Sequence, residues 1–265
     1  MLNSFGNELR FLENKISTAS EKEFNLRGKK VIRSIIGITG LPHFGARLRA
    51  FYLNKLLKSL DKSSNVLDAG CGIGLNTFLV SRHGLNVIGV DNDSKKIESA
   101  KKMLAKAKYK NTNFYVKDIT KLDFKNEAFD IVVCFEVLEH IESDKEALSE
   151  ICRVLKSGGN LLFSTPGEGF ISKNSQHEKH HIREGYAIEK FTKMLRENNM
   201  SVEKVIKDEH TILGLTIRLL NDEVLKISLV LSTILFPMFL LLALVDGLLP
   251  ETVTPNNWIM VAVKK

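Results

Sequence analysis

From about residue 64 onward, short apolar runs alternate with longer amphipathic ones, and no other property of the chain restricts its fold as tightly. A strand buried on both faces reads as an unbroken Val/Ile/Leu run, whereas a helix covering such a sheet shows an apolar stripe. Repetition of the two therefore means successive strand-helix units around a largely parallel sheet. Runs at 64–69, 86–91, 113–118, 129–135, 160–165, 201–208 and 258–264 read as strands, and stretches near 75–83, 94–107, 144–156 and 186–198 as helices. Ser94 is placed to cap the helix KKIESAKKMLAKAK, and Gly158-Gly159 reads as a turn before the fifth strand. The length of 265 residues suits one large domain or one domain with an elaboration. The expected division is an N-terminal helical segment at 1–60 and an α/β domain at 61–265, with a strongly apolar helical insertion at 209–257.

The first strand runs directly into glycines in VLDAGCGIG, residues 66–74. In a parallel α/β sheet, ligands bind beyond the carboxyl ends of the strands, where each strand hands over to a helix. Gly70, Gly72 and Gly74 let the main chain bend there and approach a ligand closely. A dinucleotide fold spaces its glycines GxGxxG, but here the spacing is GxGxG with Asp68 before it. A carboxylate beside the loop repels a pyrophosphate and favours a cationic amino group.

Two further acids close neighbouring strands. Asp91, in VIGVDND, lies 21 residues beyond Gly70, the distance at which a ribose-binding carboxylate is expected, and its two oxygens can accept both ribose hydroxyls. Asp118, in NFYVKDIT, could accept from an adenine amino group, with Ile119 packing on the ring. Each acid alone also reads as a helix cap or a surface residue. Three in register with a glycine loop point to a nucleoside ligand with a positive charge at one end.

The segments VLDAGCGIG, VIGVDND, VKDIT, FDIVVCFEVLEHI and LSEICRVLKSGGNLLFSTP together resemble the class I S-adenosylmethionine-dependent methyltransferases, over roughly residues 62–208 plus the last strand. Within that family, FEVLEHI is most similar to small-molecule methyltransferases that include the ubiquinone-biosynthesis O-methyltransferases. The resemblance implies a Rossmann-like α/β fold with a seven-stranded, mostly parallel sheet and an antiparallel last strand. It implies S-adenosyl-L-methionine as cofactor. Asp68, Gly70, Cys71, Gly72 and Gly74 would hold the methionine part, Asp91 and Asn92 the ribose, Asp118 and Ile119 the adenine, and Phe135 the methionine backbone.

Methyl transfer from a sulfonium is a displacement in which the leaving group departs neutral and needs no acid. Alignment of nucleophile, methyl and sulfur can then supply much of the catalysis. A general base helps only where the nucleophile must lose a proton, and His140, just after the fourth strand, is the candidate. Its alternative reading is a loop or capping histidine. In the long connection after the fifth strand, HEKHH places His177, His180 and His181 close together. Three imidazoles suit a metal, but no carboxylate beyond Glu178 completes a shell, so no metal site is expected. His177, His181, Arg183 and Tyr186 are instead read as substrate-side residues, the last two in a stretch, HIREGY, that resembles a substrate loop of related enzymes.

Two remaining pieces bear on where the chain works. Residues 1–60 hold eleven Lys and Arg against four Asp and Glu, which accounts for the whole net charge of +7. A helix over Arg27–Ile38 would put Lys29, Lys30 and Arg33 on one face and Val31, Ile32, Ile35, Ile36 and Ile38 on the other. Such a basic amphipathic helix suits an anionic membrane surface, although a helix packed on the sheet with solvated lysines has the same pattern. Ile227–Val245 has 19 positions without a charge, long enough to span a bilayer, yet Pro237 interrupts it and the last strand must return to the same sheet. A hairpin in one leaflet, an interfacial helix or an apolar cover over substrate fits better.

No aromatic platform or recognition motif accompanies the basic residues, so nucleic acid is not expected as a partner. Cys71, Cys134 and Cys152 form no CxxC pair and read as reduced thiols, and the first residues show no signal peptide. The expectation is thus a cytoplasmic enzyme, peripheral at the membrane face, methylating a small or lipid-like acceptor. A non-catalytic cofactor-binding module whose apolar insertion recruits a partner protein stays open, as does the oligomeric state. Nicotinamide-dependent oxidoreduction is disfavoured by the GxGxG spacing.

Overall fold

The computed structural model describes residues 44–107, 109–168, 182–208 and 257–265, together with positions 220, 224, 231, 235, 238, 239, 241 and 242. The chain divides into two compact units, Leu48–Asp208 with Thr254–Lys265, and Met1–Arg47 with Glu209–Val253. Most of the second unit lies outside the described residues, including the expected Arg27–Ile38 helix.

In the first unit, helices and strands alternate in the order α1 (Phe44–Leu57), β1 (Asn65–Ala69), α2 (Leu75–Arg82), β2 (Asn86–Asp91), α3 (Ser94–Ala107), β3 (Thr112–Val116), β4 (Phe129–Phe135), α4 (Asp144–Val154), β5 (Leu155–Pro166), α5 (Ile188–Glu197), β6 (Met200–Asp208) and β7 (Asn257–Lys264). A short 3-10 turn, Leu138–His140, follows β4. The strands form one seven-stranded sheet in the order β3-β2-β1-β4-β5-β7-β6. β7 alone runs against its neighbours, pairing antiparallel with both β5 and β6. The chain leaves β1 outward through β2 and β3, then returns to add β4 on β1's other side. That reversal opens a crevice at the carboxyl ends of β1 and β4, where open α/β sheets take their ligands.

Successive residues of the central strands alternate between two buried layers. Leu67, Val132, Leu161 and Phe163 pack with Ile151 and Cys152 of α4 and Phe191 and Leu195 of α5. Val66, Ile131, Val133 and Leu162 pack with Leu53 and Leu57 of α1 and Val80 of α2. Burial of both faces explains why β4 reads as the near-continuous run FDIVVCF.

The element boundaries differ from expectation in four instructive places. β5 begins at Leu155 rather than 160, because Leu155 already pairs with Phe129 before a register shift brings Asn160 opposite Ile131. Gly158, at φ +75, is thus a kink within the strand and not a turn ahead of it. α4 stops at Val154 because Leu155 is already extended. α5 starts at Ile188 rather than 186 because the main-chain N–H of Tyr186 donates to Pro166 O at 3.1 Å. β3 ends at Val116, two residues short, where Lys117 N–H turns to Asp91 O at 3.1 Å.

Candidate active site

The turn between β1 and α2 is fastened to the end of β2 by its own main chain. The N–H groups of Gly70 and Cys71 both donate to Val90 O at 2.8 Å, and that of Gly72 donates to Asp91 Oδ2 at 2.8 Å. Asp68, buried at the end of β1, accepts from the Thr77 hydroxyl at 2.5 Å, which ties the strand to the first turn of α2. Gly74 closes the loop, its N–H donating to Cys71 O at 2.8 Å just before α2 begins.

Gly70 and Gly72 share a left-handed backbone, at φ +75 and +55, but differ in what surrounds them. A Cβ on Gly70 would lie 2.4 Å from Val137 Cγ2, so the turn after β4 packs directly on bare backbone. Among the described residues a Cβ on Gly72 would meet nothing within 4 Å, although its φ of +55 is the left-handed conformation that side chains disfavour. No described residue therefore covers the main chain at Gly72, and a ligand can lie against the backbone there.

Asp91 is 7 % exposed and receives the N–H of Asp93 at 2.9 Å on Oδ1 as well as that of Gly72 on Oδ2. A carboxylate offers about four lone-pair sites, so each oxygen keeps acceptor capacity for a hydroxyl. Asn92, next in the chain, is exposed. Cys71 is buried, and burial, followed by the carboxylates of Asp68 and Asp91, drives its thiol far above the ordinary value, which makes it a neutral lining group and not a nucleophile.

Asp118 lies past the end of β3, exposed, with Oδ1 taking both the N–H and the hydroxyl of Thr120 at 2.8 Å. Those bonds hold its carboxyl below the ordinary range. Ile119 is buried in the core with Leu122 and Phe129, so it supports the β3 turn from within. Phe135 ends β4 and is buried in the layer that α1 covers. His140 is exposed at the end of the 3-10 turn.

Arg183 and Tyr186 have a role that the sequence does not disclose. Arg183 Nη1 donates to Leu138 O at 2.8 Å and Ile141 O at 2.5 Å, its Nη2 donates to Glu142 O at 3.1 Å, and the guanidinium pairs with Asp144 at 3.4 Å. Tyr186 Oη donates to Asp144 Oδ2 at 2.6 Å. The N–H groups of Ile182 and Arg183 also reach Glu139 O at 3.1 and 3.3 Å. Both side chains are engaged by the protein itself, where they clamp the turn that carries His140. His177 and His181 lie outside the described residues.

Two residues at this end of the sheet escaped sequence reasoning. Glu136 follows β4 directly with φ 54, a backbone conformation rare outside glycine. Its Oε1 accepts from Ser164 Oγ at 2.9 Å and pairs with Arg49 of α1 at 3.3 Å. Glu139 is fully buried, and burial first, then the Glu136 carboxylate, pushes it up to about 8. The available signal was a pair of carboxyls three residues apart immediately after a wholly apolar strand.

These residues fit S-adenosyl-L-methionine. The uncovered backbone at Gly72 suits close approach, Asp91 suits a ribose diol, and the Arg49 guanidinium offers a counter-charge for an amino-acid carboxylate. When bound, the cofactor supplies an electrophilic methyl carbon on a cationic sulfur.

Comparison with known proteins agrees. A family model described as a methyltransferase domain matches residues 60–218. A ubiquinone biosynthesis O-methyltransferase of Coxiella burnetii is 37% identical over 109 residues, covering 41% of this chain and 46% of that protein. A sterol 24-C-methyltransferase of Clavispora lusitaniae is 30% identical over 146 residues, 54% of this chain and 38% of that one. The matches thus span less than half the length of either relative. In fold, phosphoethanolamine N-methyltransferase 2 of Haemonchus contortus, solved in complex with S-adenosyl-L-methionine, superposes with a TM-score of 0.61 at 20% identity over 82% of this chain and 52% of that chain. With the domain model matched over more than half its length, and with a sheet whose switch point carries an open glycine turn and a ribose-spaced acid, the chain belongs to the class I S-adenosylmethionine-dependent methyltransferases.

Proposed function

We propose that the protein transfers the methyl group of S-adenosyl-L-methionine to an amphiphilic acceptor, of quinone, polyprenyl or lipid type, at the cytosolic face of a membrane. The observation that carries the transfer is the uncovered Gly72 backbone held by Asp91 at the sheet's switch point. Around it, the chain's own residues have separable tasks. Asp68 with Thr77 and Val90 with Gly70 fix the loop, and Asp91 orients the nucleoside. The Arg183 clamp sets the turn on which an acceptor's proton could be received. Rate then comes from alignment at the reacting atoms, with proton removal added where the acceptor is a hydroxyl or ammonium.

The amphiphilic class of acceptor is supported by two relatives, one named for ubiquinone biosynthesis and one for sterols. Within the second unit, Leu220, Leu231, Met238, Leu241 and Leu242 are exposed, an unusual concentration of large apolar side chains for a solvated surface. Among the described residues no helix is long and apolar enough to cross a membrane, and an interfacial attachment is the form proposed. Flotation with anionic liposomes tests it. The full chain is expected to float, and a version lacking 224–249 to remain in the dense fractions. Equal recovery of both in the dense fractions would remove the membrane from the reading.

A further inference from the structure

A row of buried hydroxyls leads from β3 across α2 to the Asp68 carboxylate. Thr77 and Ser81, one turn apart on α2, share a face of the helix, and both are buried, as are Thr112 and Asp68. The Thr77 hydroxyl donates to Asp68 Oδ2 at 2.5 Å, while Ser81 Oγ lies 2.7 Å from Thr77 O and 2.7 Å from Thr112 Oγ1. A serine has one hydrogen to give, and Ser81 gives it to the carbonyl, which makes Thr112 the donor to Ser81. Gly89 of β2 makes room for the row, since a Cβ there would lie 2.8 Å from Thr77 Oγ1. α2 is thus fastened to β1 through Thr77 and to β3 through Ser81, with bare backbone of the intervening β2 beneath it. Buried hydroxyls and a buried carboxylate cost free energy that apolar side chains of the same shape would not, so the row calls for a purpose at the carboxylate end.

We infer that Thr77 is the positioning residue for the amino-acid end of the cofactor: by holding Asp68 Oδ2 it aims that carboxylate at the ammonium group, and Ser81 and Thr112 brace Thr77 from β3. The inference rests on the reading of the glycine turn as the seat of S-adenosyl-L-methionine. Asp68 is two residues ahead of Gly70, and its charge, like that of Asp91, acts on the Cys71 thiol in the middle of the turn. A charge-assisted hydrogen bond from an ammonium depends on direction as well as distance, so a carboxylate that can swing about its side-chain torsions binds it less well. The loop backbone does not depend on Thr77 in the same way, because it hangs from Val90 O and Asp91 Oδ2. Thr77 therefore contributes to binding a nucleoside that carries an amino acid and not to binding one that lacks it.

The test is calorimetry on the full chain with two ligands: S-adenosyl-L-methionine, and methylthioadenosine, which keeps the nucleoside and the sulfur but has no amino acid. Thr77→Val preserves shape and removes the hydroxyl, and it is expected to lower affinity for the cofactor by about tenfold or more, the usual worth of a hydrogen bond to a charged group. Affinity for methylthioadenosine should stay within about twofold, since parts of a ligand that bind independently contribute additively. Thr77→Ser, which restores the hydroxyl, should return the preference between the two ligands to that of the wild type. A purely structural role would weaken both ligands together, and that result, or an unchanged preference in Thr77→Val, would overturn the proposal. Where Thr77→Val does not fold, Ser81→Ala decides: it unfastens α2 from β3 while leaving the Thr77 hydroxyl, and its preference for the cofactor should fall by about threefold. An unchanged preference there would overturn the proposal as well. A wild type that binds the cofactor no better than methylthioadenosine would sink the role of Asp68 and Thr77 while leaving the cofactor reading intact. A wild type that binds neither would sink the cofactor reading, and the proposal with it.

Discussion

Asp91 Oδ2 accepts the main-chain N–H of Gly72 at 2.8 Å, so the acid that ends β2 and the bare turn that follows β1 form one unit. The same carboxylate steadies the β2 turn through Asp93 N–H at 2.9 Å. Asp91→Ala therefore removes a loop anchor and, on the proposed reading, the acceptor for the ribose hydroxyls. S-adenosylmethionine affinity, measured by calorimetry, should fall by about 1.5–3 kcal/mol, or roughly 10- to 150-fold. Unchanged affinity would remove Asp91 from the site.

Gly70 and Gly72 should separate folding from binding. Gly70→Ala forces a methyl to within 2.4 Å of Val137, and urea unfolding should show a loss of about 1–3 kcal/mol from overpacking alone. Gly72→Ala meets no atom, so its cost should be limited to the left-handed backbone, about 1–2 kcal/mol, while cofactor affinity falls.

The first of these glycines shows how far the sequence could be read. VLDAGCGIG announced a ligand turn and the alternation announced the sheet, because strand burial and main-chain approach each leave a local pattern. Val137, which closes off the space a side chain at Gly70 would need, is distant in sequence and packs on it only in the fold. Arg183 and Tyr186 looked like substrate residues because their chemistry is polar and their position is beside the expected mouth. Their partners are main-chain oxygens of another segment and the Asp144 carboxylate, which only the fold brings to them. Burial likewise decides Glu139: its type suggests a surface acid, and only the closure of β4 against β5 seals it in.

The clamp gives a stability test. Arg183→Ala leaves the carbonyls of Leu138, Ile141 and Glu142 without their charged donor and should cost about 1.5–3 kcal/mol in urea unfolding. Tyr186→Phe loses the bond to Asp144 and should cost about 1 kcal/mol. Hydrogen exchange at the amides of 139–141 should accelerate in both. Unaltered exchange would mean the turn holds without them.

Glu139 makes stability depend on pH. Its carboxyl is raised from 4.5 to about 8 in the folded chain, chiefly by burial. Below the unfolded value both states hold the proton, and the stabilising contribution is full. As pH rises toward about 8 the unfolded chain releases the proton first, so that contribution declines and is gone above the folded value. Thermal unfolding of the wild type should weaken from pH 5 toward pH 8 relative to Glu139→Gln, which cannot ionise. Parallel profiles would show that the carboxyl is not held neutral.

The most direct test of the central claim is a calorimetric titration of S-adenosylmethionine into the full chain and into Gly72→Val, both first shown to be folded by circular dichroism. Binding at one site in the wild type, abolished in the variant, is the expected result, since valine would fill the space above the uncovered backbone. A folded wild type that binds none, or a variant that binds as tightly as the wild type, would contradict it.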